Sequence, residues 1–236
     1  MARTFLSAAF DLPLVRPAHG RCPRFAVLWL TWASQSQAVE FVQLQCSHIT
    51  GTLDKSPYSA AMTSGLKRFH QSGQSHFITV SCYRRKPNFS SSYIYDLFLN
   101  CMERMRVRFE MCIYAYVVMP EHVHFLVNEP TQETLADAMH FMKLSFTKRL
   151  HHKGSFWQKR YYDRNVRDAG EFDEKLGYIH RNPVSRGLAR EPADWKWSSF
   201  RHYALREIGI VTIESEWTAR DREQPERTPR VFLSPG

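Results

Sequence analysis

Apolar and polar residues follow regular patterns from residue 76 onwards, and these patterns predict the first half of the fold. The segment HFITVSCYRR (residues 76–85) alternates and is rich in β-branched and aromatic residues, which predicts a strand. In SSYIYDLFLNCMERMRVRFEM (residues 91–111) apolar side chains recur at helical spacing after serines able to cap a helix. The segments CIYAYVVM (residues 112–119) and HVHFLV (residues 122–127) predict two strands of a hairpin, with a tight break between them.

The following residues predict two further helices and one strand. TQETLADAMHFMKLSFTKRLHHKG (residues 131–154) has a helical apolar stripe, and Thr131 is placed to cap it. SFWQKRYYDRNV (residues 155–166) predicts a fourth strand. GEFDEKLGYIHRNPV (residues 170–184) predicts a third helix that stops near Asn182, because a residue before proline is displaced from helical angles.

The order of these elements predicts the fold class. The series strand, helix, strand, strand, helix, strand matches the ferredoxin-like split βαβ sandwich, an α+β fold with one antiparallel sheet and two covering helices. The third helix is then a C-terminal addition. In this topology the first and third strands lie side by side in the middle of the sheet, and one face is left available for a substrate.

Charge is unevenly distributed and suggests where the compact domain begins. Residues 1–61 hold 8 of the 55 charged residues (32 Lys and Arg plus 23 Asp and Glu). We expect this segment to be a poorly ordered extension that is not translated in vivo, and residues 62–212 to form the domain. Residues 213–236 are polar and contain prolines, so we expect a disordered tail there.

Composition favours a cytoplasmic protein with an anionic partner. The formal net charge is +9, and aromatic residues interleaved with Arg and Lys favour nucleic acid, although a solvated basic face is an equal alternative. The five scattered cysteines contain no CxxC pair, so neither a zinc knuckle nor a disulfide framework is indicated. FAVLWLTWA (residues 25–33) is too short to span a membrane. The candidate nucleic-acid contacts, all cations or nearby aromatic residues, are Arg84, Arg85, Lys86, Lys148, Arg149, Trp157, Lys159, Arg160, Tyr161, Tyr162 and Arg164.

Two histidines stand out in VVMPEHVHFLV (residues 117–127). His122 and His124 should point to the same face of their strand, and paired imidazoles are typical metal ligands. On the third helix, Tyr178 and Asn182 are four residues apart and share a face. An amide oxygen could complete the metal site and a phenol could attack phosphorus. The alternative is that Tyr178 is a core residue and Asn182 only ends the helix.

Four motifs together resemble one enzyme family. VVMPEHVHFLV, FWQKRYYDRNVRD, YIHRNPV and WKWSSF are similar, in this order, to the single-tyrosine transposases of the HUH nuclease superfamily, and most of all to the REP-associated tyrosine transposases. The similarity runs from about Phe69 to about Tyr203. The resemblance implies metal-dependent cleavage of single-stranded DNA at hairpin-containing ends, with a 5′-phosphotyrosine intermediate and a free 3′-hydroxyl.

The resemblance also implies roles for individual residues. His122 and His124 occupy the metal-ligand positions, Tyr178 the nucleophile position, and Asn182 the third-ligand position, where some members have glutamine. Tyr161 and Tyr162 are rival phenols that fit base stacking better than attack on phosphorus.

The resemblance implies a cation and a setting as well. The cation is Mg²⁺ or Mn²⁺, and the partner is single-stranded or hairpin DNA. The protein acts as a monomer or homodimer in the cytoplasm, associated with the nucleoid, and not at a membrane. A non-catalytic module that binds DNA or RNA hairpins on the same fold is the alternative function.

Overall fold

A computed structural model of the chain describes residues 73–131 and 133–223. The expected N-terminal extension, residues 1–61, lies outside the described residues and stays a prediction. Within the described ranges, every helix is too short or too polar to cross a lipid bilayer.

The described chain forms one four-stranded antiparallel sheet with helices on both of its faces. The strands are β1 (Ser75–Ser81), β2 (Ile113–Val118), β3 (His122–Val127) and β4 (Tyr162–Val166). The helices are α1 (Ser92–Arg108), α2 (Leu135–Arg149), α3 (Ala169–Ser185), α4 (Phe200–Leu205) and α5 (Glu216–Glu223). The strand order is β2-β3-β1-β4. This order confirms the predicted ferredoxin-like sandwich, with β1 and β3 in the middle of the sheet.

The two faces of the sheet are covered differently. Val80 and Phe125 belong to a core that α1 and α2 cover. Val117 and Leu126 lie on the other face and pack with Ile179 of α3. Alternation along the strands separates the two sets of side chains. The face expected to be free of α1 and α2 is therefore partly covered by α3, which carries Tyr178.

Aromatic rings fill the core between α1, α2 and the sheet. The Phe146 ring lies with its centroid 5.0 to 5.7 Å from the rings of Phe89, Phe98, Phe156 and Trp157. Trp157 is only 8% exposed. Trp157, one of the predicted contacts, therefore belongs to the core, and a direct contact of its ring with nucleic acid stays a prediction.

The N-terminus of α2 differs from the expected cap. Thr134 is the N-cap residue, and its hydroxyl accepts a hydrogen bond from the Asp137 backbone N–H at 3.2 Å. The Asp137 carboxylate accepts the Thr134 backbone N–H in return, at 3.1 Å, so the pair forms a capping box. Thr131, the residue predicted to cap, instead donates its hydroxyl to Glu110 Oε2 at 3.0 Å.

Helix α3 continues three residues beyond the expected stop at Asn182. Pro183 lies in its last turn, where a missing N–H removes only one helical hydrogen bond. The backbone N–H of Arg186 bonds to the Asn182 carbonyl at 3.1 Å, and that of Leu188 bonds to the Pro183 carbonyl at 2.9 Å. These bonds hold Asn182 in helical geometry, so that its side chain shares a face with Tyr178.

The expectation of a disordered tail from residue 213 is wrong as far as residue 223. Ile213 is 3% exposed, and the Glu214 backbone N–H bonds to the Ile113 carbonyl of β2 at 2.8 Å. Trp217 of α5 stacks on His202 with ring centroids 4.5 Å apart. These few apolar anchors fix a segment whose average composition is polar. Residues 224–236 lie outside the described part of the chain.

A buried charged triad ties β1 to β4 and to the end of β3. His76 is fully buried, with Nδ1 2.8 Å from Asp163 Oδ1 and Nε2 3.2 Å from Glu129 Oε1. Burial opposes protonation of the imidazole, but the hydrogen bonds and negative charges of Asp163 and Glu129 outweigh it and raise the His76 pKa above its usual 6.5. Protonated His76 therefore stabilises the fold.

We expect a His76→Gln variant to be less stable than the wild type below pH 6.5, and the difference to shrink as pH rises. A raised folded-state pKa contributes stability that is complete below the unfolded value and is lost as pH passes through the folded value. Chemical denaturation over a pH series measures the free energies of unfolding. A difference that stays constant with pH would show that His76 contributes no charge-dependent stability.

Candidate metal and tyrosine site

The two histidines of β3 face each other on the side of the sheet that α3 covers. Nε2 of His122 lies 2.9 Å from Nε2 of His124, and the ring centroids are 4.5 Å apart. Two nitrogen ligands about 2.1 Å from one ion and at right angles to each other are about 3.0 Å apart. The spacing of the two imidazoles therefore fits two ligands of one divalent cation.

Thr79 of β1 orients His124. Its hydroxyl lies 2.8 Å from Nδ1 of His124, and strand pairing places the two residues opposite each other. Burial lowers the pKa of His124 well below its usual value, and the nearby positive charges of His122, Arg186 and Arg85 lower it further. His124 is therefore neutral near pH 7. When Nδ1–H donates to Thr79, the Nε2 lone pair points towards His122 and is available to a metal.

Glu121 orients His122 in the same way. Its Oε1 lies 3.2 Å from Nδ1 of His122 and accepts a hydrogen bond from Nη2 of Arg186 at 2.7 Å. The hydrogen bond to His122, together with the charges of His122 and Arg186, lowers the Glu121 pKa to about 2 despite partial burial. A carboxylate bonded to the far nitrogen of a ligating imidazole is the usual outer partner of a metal-bound histidine.

Tyr178 of α3 lies against the histidines, and Asn182 follows four residues later on the same face of the helix. The Tyr178 ring is half-buried, with its centroid 5.2 Å from His124 and 5.9 Å from Phe77. The ring of Tyr162, one of the rival phenols, lies edge-on to Phe77 with the ring centroids 6.4 Å apart. The structure thus places the Tyr178 ring of the third predicted helix against His124.

The amide oxygen of Asn182 is buried without a protein hydrogen-bond partner. Asn182 is 6% exposed, and within the described residues Oδ1 has no donor. A buried acceptor without a partner costs about 1–3 kcal/mol, so such atoms call for an explanation. The described residues contain no group of three or more His, Cys, Asp or Glu side chains able to hold a metal. Among the described residues, a third protein ligand would be of another type, and the Asn182 oxygen has suitable chemistry.

The start of α3 is fixed by a network that the sequence did not reveal. Asp168 caps the helix by accepting the Glu171 backbone N–H at 2.8 Å. The Glu171 carboxylate accepts Nε–H of Arg164 at 2.6 Å and Nε–H of Arg167 at 3.0 Å. Burial would raise the Glu171 pKa, but these arginines lower it to about 2. Arg164, predicted to contact DNA, therefore anchors α3 through its Nε–H.

The rear face of α3 is fixed by a second buried contact. Nε2 of His180 lies 2.9 Å from Oγ of Ser199, which in turn accepts the Tyr116 backbone N–H of β2 at 3.0 Å. Burial lowers the His180 pKa to about 3, with smaller contributions from the charges of Arg181 and His202. His180 is therefore a neutral link between α3 and β2. The role of Ser199 becomes visible only in the folded structure, because the residues around it in the sequence do not indicate a contact with His180 or Tyr116.

The predicted DNA contacts lie in different places. Arg84, Arg85 and Lys86 are exposed just after β1, and Arg85 is near enough to lower the His124 pKa. Arg84 and Arg85 adopt φ of 55° and 52°, a left-handed conformation that is costly for a side chain other than glycine. Lys148 and Arg149 are exposed at the end of α2, and Lys159 and Arg160 are exposed in the segment before β4.

Comparison with known proteins relates this architecture to one family. Residues 70–182 match the family of IS200-like transposases. A REP-associated tyrosine transposase of Escherichia coli is 25% identical over 165 residues, covering 70% of this chain and 98% of the relative. A Haemophilus influenzae protein described as a REP-associated tyrosine transposase is 24% identical over 159 residues, covering 61% and 90%.

A solved structure shares the fold. It is a REP-associated tyrosine transposase bound to a REP hairpin, with a TM-score of 0.54 and 24% identity over 65% of this chain and 93% of that chain. The family match and the two relatives confirm the resemblance seen in the four sequence motifs, and the solved structure shows that the fold is shared.

We expect a Ser199→Ala variant to lose about 1–3 kcal/mol of unfolding free energy, because His180 and the Tyr116 N–H lose a buried partner. Chemical denaturation measures the loss. Ser185→Ala, at the exposed end of α3, is the matched control and should change stability little. Equal stability of the two variants would contradict the anchoring role of Ser199.

Proposed function

We propose that the protein, whose residues 70–182 match the family of IS200-like transposases, cuts and rejoins single-stranded DNA next to hairpins through Tyr178. The observation that carries this proposal is the position of the Tyr178 ring, 5.2 Å from His124, on the same helix face as the unpartnered Asn182 Oδ1. A module that only binds DNA has no use for this combination of a phenol, paired imidazoles and a buried orphan acceptor.

The residues present fit a divalent cation. His122, His124 and Asn182 would hold Mg²⁺ or Mn²⁺, and the two imidazoles make Mn²⁺ at least as suitable as Mg²⁺. When bound, the cation supplies positive charge that polarises the scissile phosphate. Thr79 and Glu121 fix the two imidazole rings from behind, so the ligands are oriented before DNA arrives.

Tyr178 performs the covalent step. Its phenolic oxygen attacks phosphorus, the bond between phosphorus and the 3′ oxygen breaks, and the 5′ phosphate stays on Tyr178. The tyrosine proton passes through solvent to the departing oxygen, which leaves as a 3′-hydroxyl. Attack by a 3′-hydroxyl on the phosphotyrosine reverses the step and rejoins a strand.

The arginines near the site supply the remaining electrostatics. Arg85 and Arg186 are close enough to His124 to lower its pKa, so both contribute positive potential where the phosphate would sit. Arg186 is held by Glu121, whereas Arg85 is exposed just after β1. Such preorganised charge stabilises the charge that builds up on a phosphate under attack.

Hairpin DNA is the proposed partner because a structural relative is bound to a REP hairpin. Tyr178, both histidines and Asn182 all come from one chain here. A single copy therefore contains the full set of proposed groups, whether the protein works as a monomer or a homodimer.

We expect the purified protein to form a covalent adduct with labelled hairpin DNA carrying a single-stranded flank, in Mn²⁺ or Mg²⁺. A denaturing gel detects the adduct. Tyr178→Phe should abolish it, because no nucleophile remains. His122→Ala and chelation of the metal should each reduce its rate by at least about 100-fold, since several kcal/mol of charge stabilisation is lost.

Tyr161→Phe and Tyr162→Phe are the matched controls and should still form the adduct. An adduct that survives Tyr178→Phe, or disappears only in one of the two controls, would assign the nucleophile elsewhere. Cleavage without an adduct would contradict the phosphotyrosine mechanism.

A further inference from the structure

One carboxylate oxygen in the turn between β2 and β3 contacts both the histidine pair and the end of α3. Oε1 of Glu121 lies 3.2 Å from Nδ1 of His122 and accepts a hydrogen bond from Nη2 of Arg186 at 2.7 Å. Arg186 is the C-cap residue of α3. A single oxygen atom therefore joins a proposed metal ligand to the helix that carries Tyr178.

The turn that carries Glu121 is tied to the rest of the sheet through its backbone. The Cys82 backbone N–H, at the end of β1, bonds to the Glu121 carbonyl at 2.9 Å. The Phe89 backbone N–H, in the segment that leads into α1, bonds to the Pro120 carbonyl at 3.1 Å. The Glu121 side chain thus starts from a fixed backbone position beside the histidines.

The end of α3 is formed by its own hydrogen bonds and does not need Glu121. The Gly187 backbone N–H bonds to the Val184 carbonyl at 2.9 Å, and Gly187 has φ of 66°, the left-handed conformation in which many helices end. The Arg186 side chain is 54% exposed and that of Glu121 is 16% exposed. The ion pair therefore lies at the rim of the site, where it can open and close while the core stays packed.

The shared oxygen makes the two contacts depend on each other. A cation at Nε2 of His122 leaves the proton of the ring on Nδ1, and that N–H donates to Glu121. Arg186 holds the same carboxylate from the other side. A carboxylate fixed by one of these donors is already placed for the other, so each contact lowers the conformational entropy that the other has to overcome.

We propose that Arg186 is a positioning residue that couples cation binding at His122 to the docking of the last turn of α3, with Glu121 as the shared link. The proposal rests on the proposed function, because it takes the same cation site. Coupling between two binding events is reciprocal. A filled cation site therefore holds the end of α3 against the β2–β3 turn, and a docked α3 raises the affinity for the cation.

The sign of the effect separates this role from a simple effect of charge. Arg186 is close enough for its positive charge to be felt at His124, so by charge alone it repels a cation bound to the histidines. Removal of that charge would tighten cation binding. The link predicts weaker binding instead, because the Glu121 carboxylate is no longer held beside His122.

The test compares Mn²⁺ binding to four full-length proteins: the wild type, Arg186→Gln, Arg186→Lys and Arg190→Gln. Electron paramagnetic resonance of free Mn²⁺ gives the dissociation constants. Arg186→Gln should weaken binding about fivefold or more, a typical coupling between two sites. Arg186→Lys keeps a charged donor and should restore most of the affinity. Arg190→Gln removes an exposed arginine beyond the end of α3 and should behave like the wild type.

A double-mutant cycle tests whether Glu121 carries the effect. Glu121→Gln keeps the size of the side chain but removes the charge that holds Arg186, and should weaken Mn²⁺ binding about tenfold or more, as losses of an outer partner do. Residues that act through one contact give non-additive effects. In the Glu121→Gln background, Arg186→Gln should therefore cause no further weakening.

Hydrogen exchange followed by mass spectrometry measures the other side of the coupling. In the wild type, Mn²⁺ should slow exchange of the backbone amides of residues 186–188. In Arg186→Gln the same amides should exchange at the same rate with and without Mn²⁺. Peptides of α1, which does not carry the link, are the internal control.

Three results would overturn the proposal: tighter Mn²⁺ binding by Arg186→Gln, additive losses in the double-mutant cycle, or exchange at residues 186–188 of the wild type that does not respond to Mn²⁺. The Tyr178 adduct distinguishes this proposal from the proposed function. An intact adduct together with any of these results removes only the link, and a link demonstrated without an adduct removes only the strand-transfer function.

Discussion

The contact between the Tyr178 ring and His124 is the interaction on which the proposed chemistry depends. Tyr178 belongs to a helix that follows the sheet in sequence, and the histidines belong to a central strand. Their rings meet at 5.2 Å only because α3 packs across the sheet face opposite to α1 and α2. Phe77 stabilises the arrangement, since its ring contacts both His124 and Tyr178. A phenol beside paired imidazoles is then a consequence of packing rather than of local sequence.

Two separate anchors keep α3 in that position. At its start, Glu171 is held by two arginines and Asp168 caps the first turn. On its rear face, His180 bonds to Ser199, which is itself tied to β2. Both anchors are buried or partly buried, so water competes with them weakly. The anchors therefore keep the face of α3 that carries Tyr178 against the strand of the histidines, and Asn182 lies one turn further along the same face.

Much of this organisation could be predicted from sequence, and the exceptions have physical causes. Period-two and helical patterns predicted the strands and helices, and the spacing of His122 from His124 predicted their shared face. Strand register is invisible in a single sequence, so Thr79 was not recognised as the partner of His124. The proline at position 183 predicted that α3 ends near Asn182, but the helix continues to Ser185. Pro183 lies in the last turn, where its missing N–H removes only one helical hydrogen bond. Trp157 was predicted to contact nucleic acid because Lys and Arg residues follow it in the sequence. Its ring nevertheless packs in the core, since neighbouring cations do not determine which way a side chain points.

The proposed chemistry requires one cation between His122 and His124, within reach of Tyr178. Pulsed electron paramagnetic resonance of the protein loaded with Mn²⁺ tests it most directly, because nitrogen couplings report ligating imidazoles. We expect couplings from two imidazoles in the wild type and from one in a His124→Ala variant. A spectrum without nitrogen couplings, like that of Mn²⁺ in water, would contradict it.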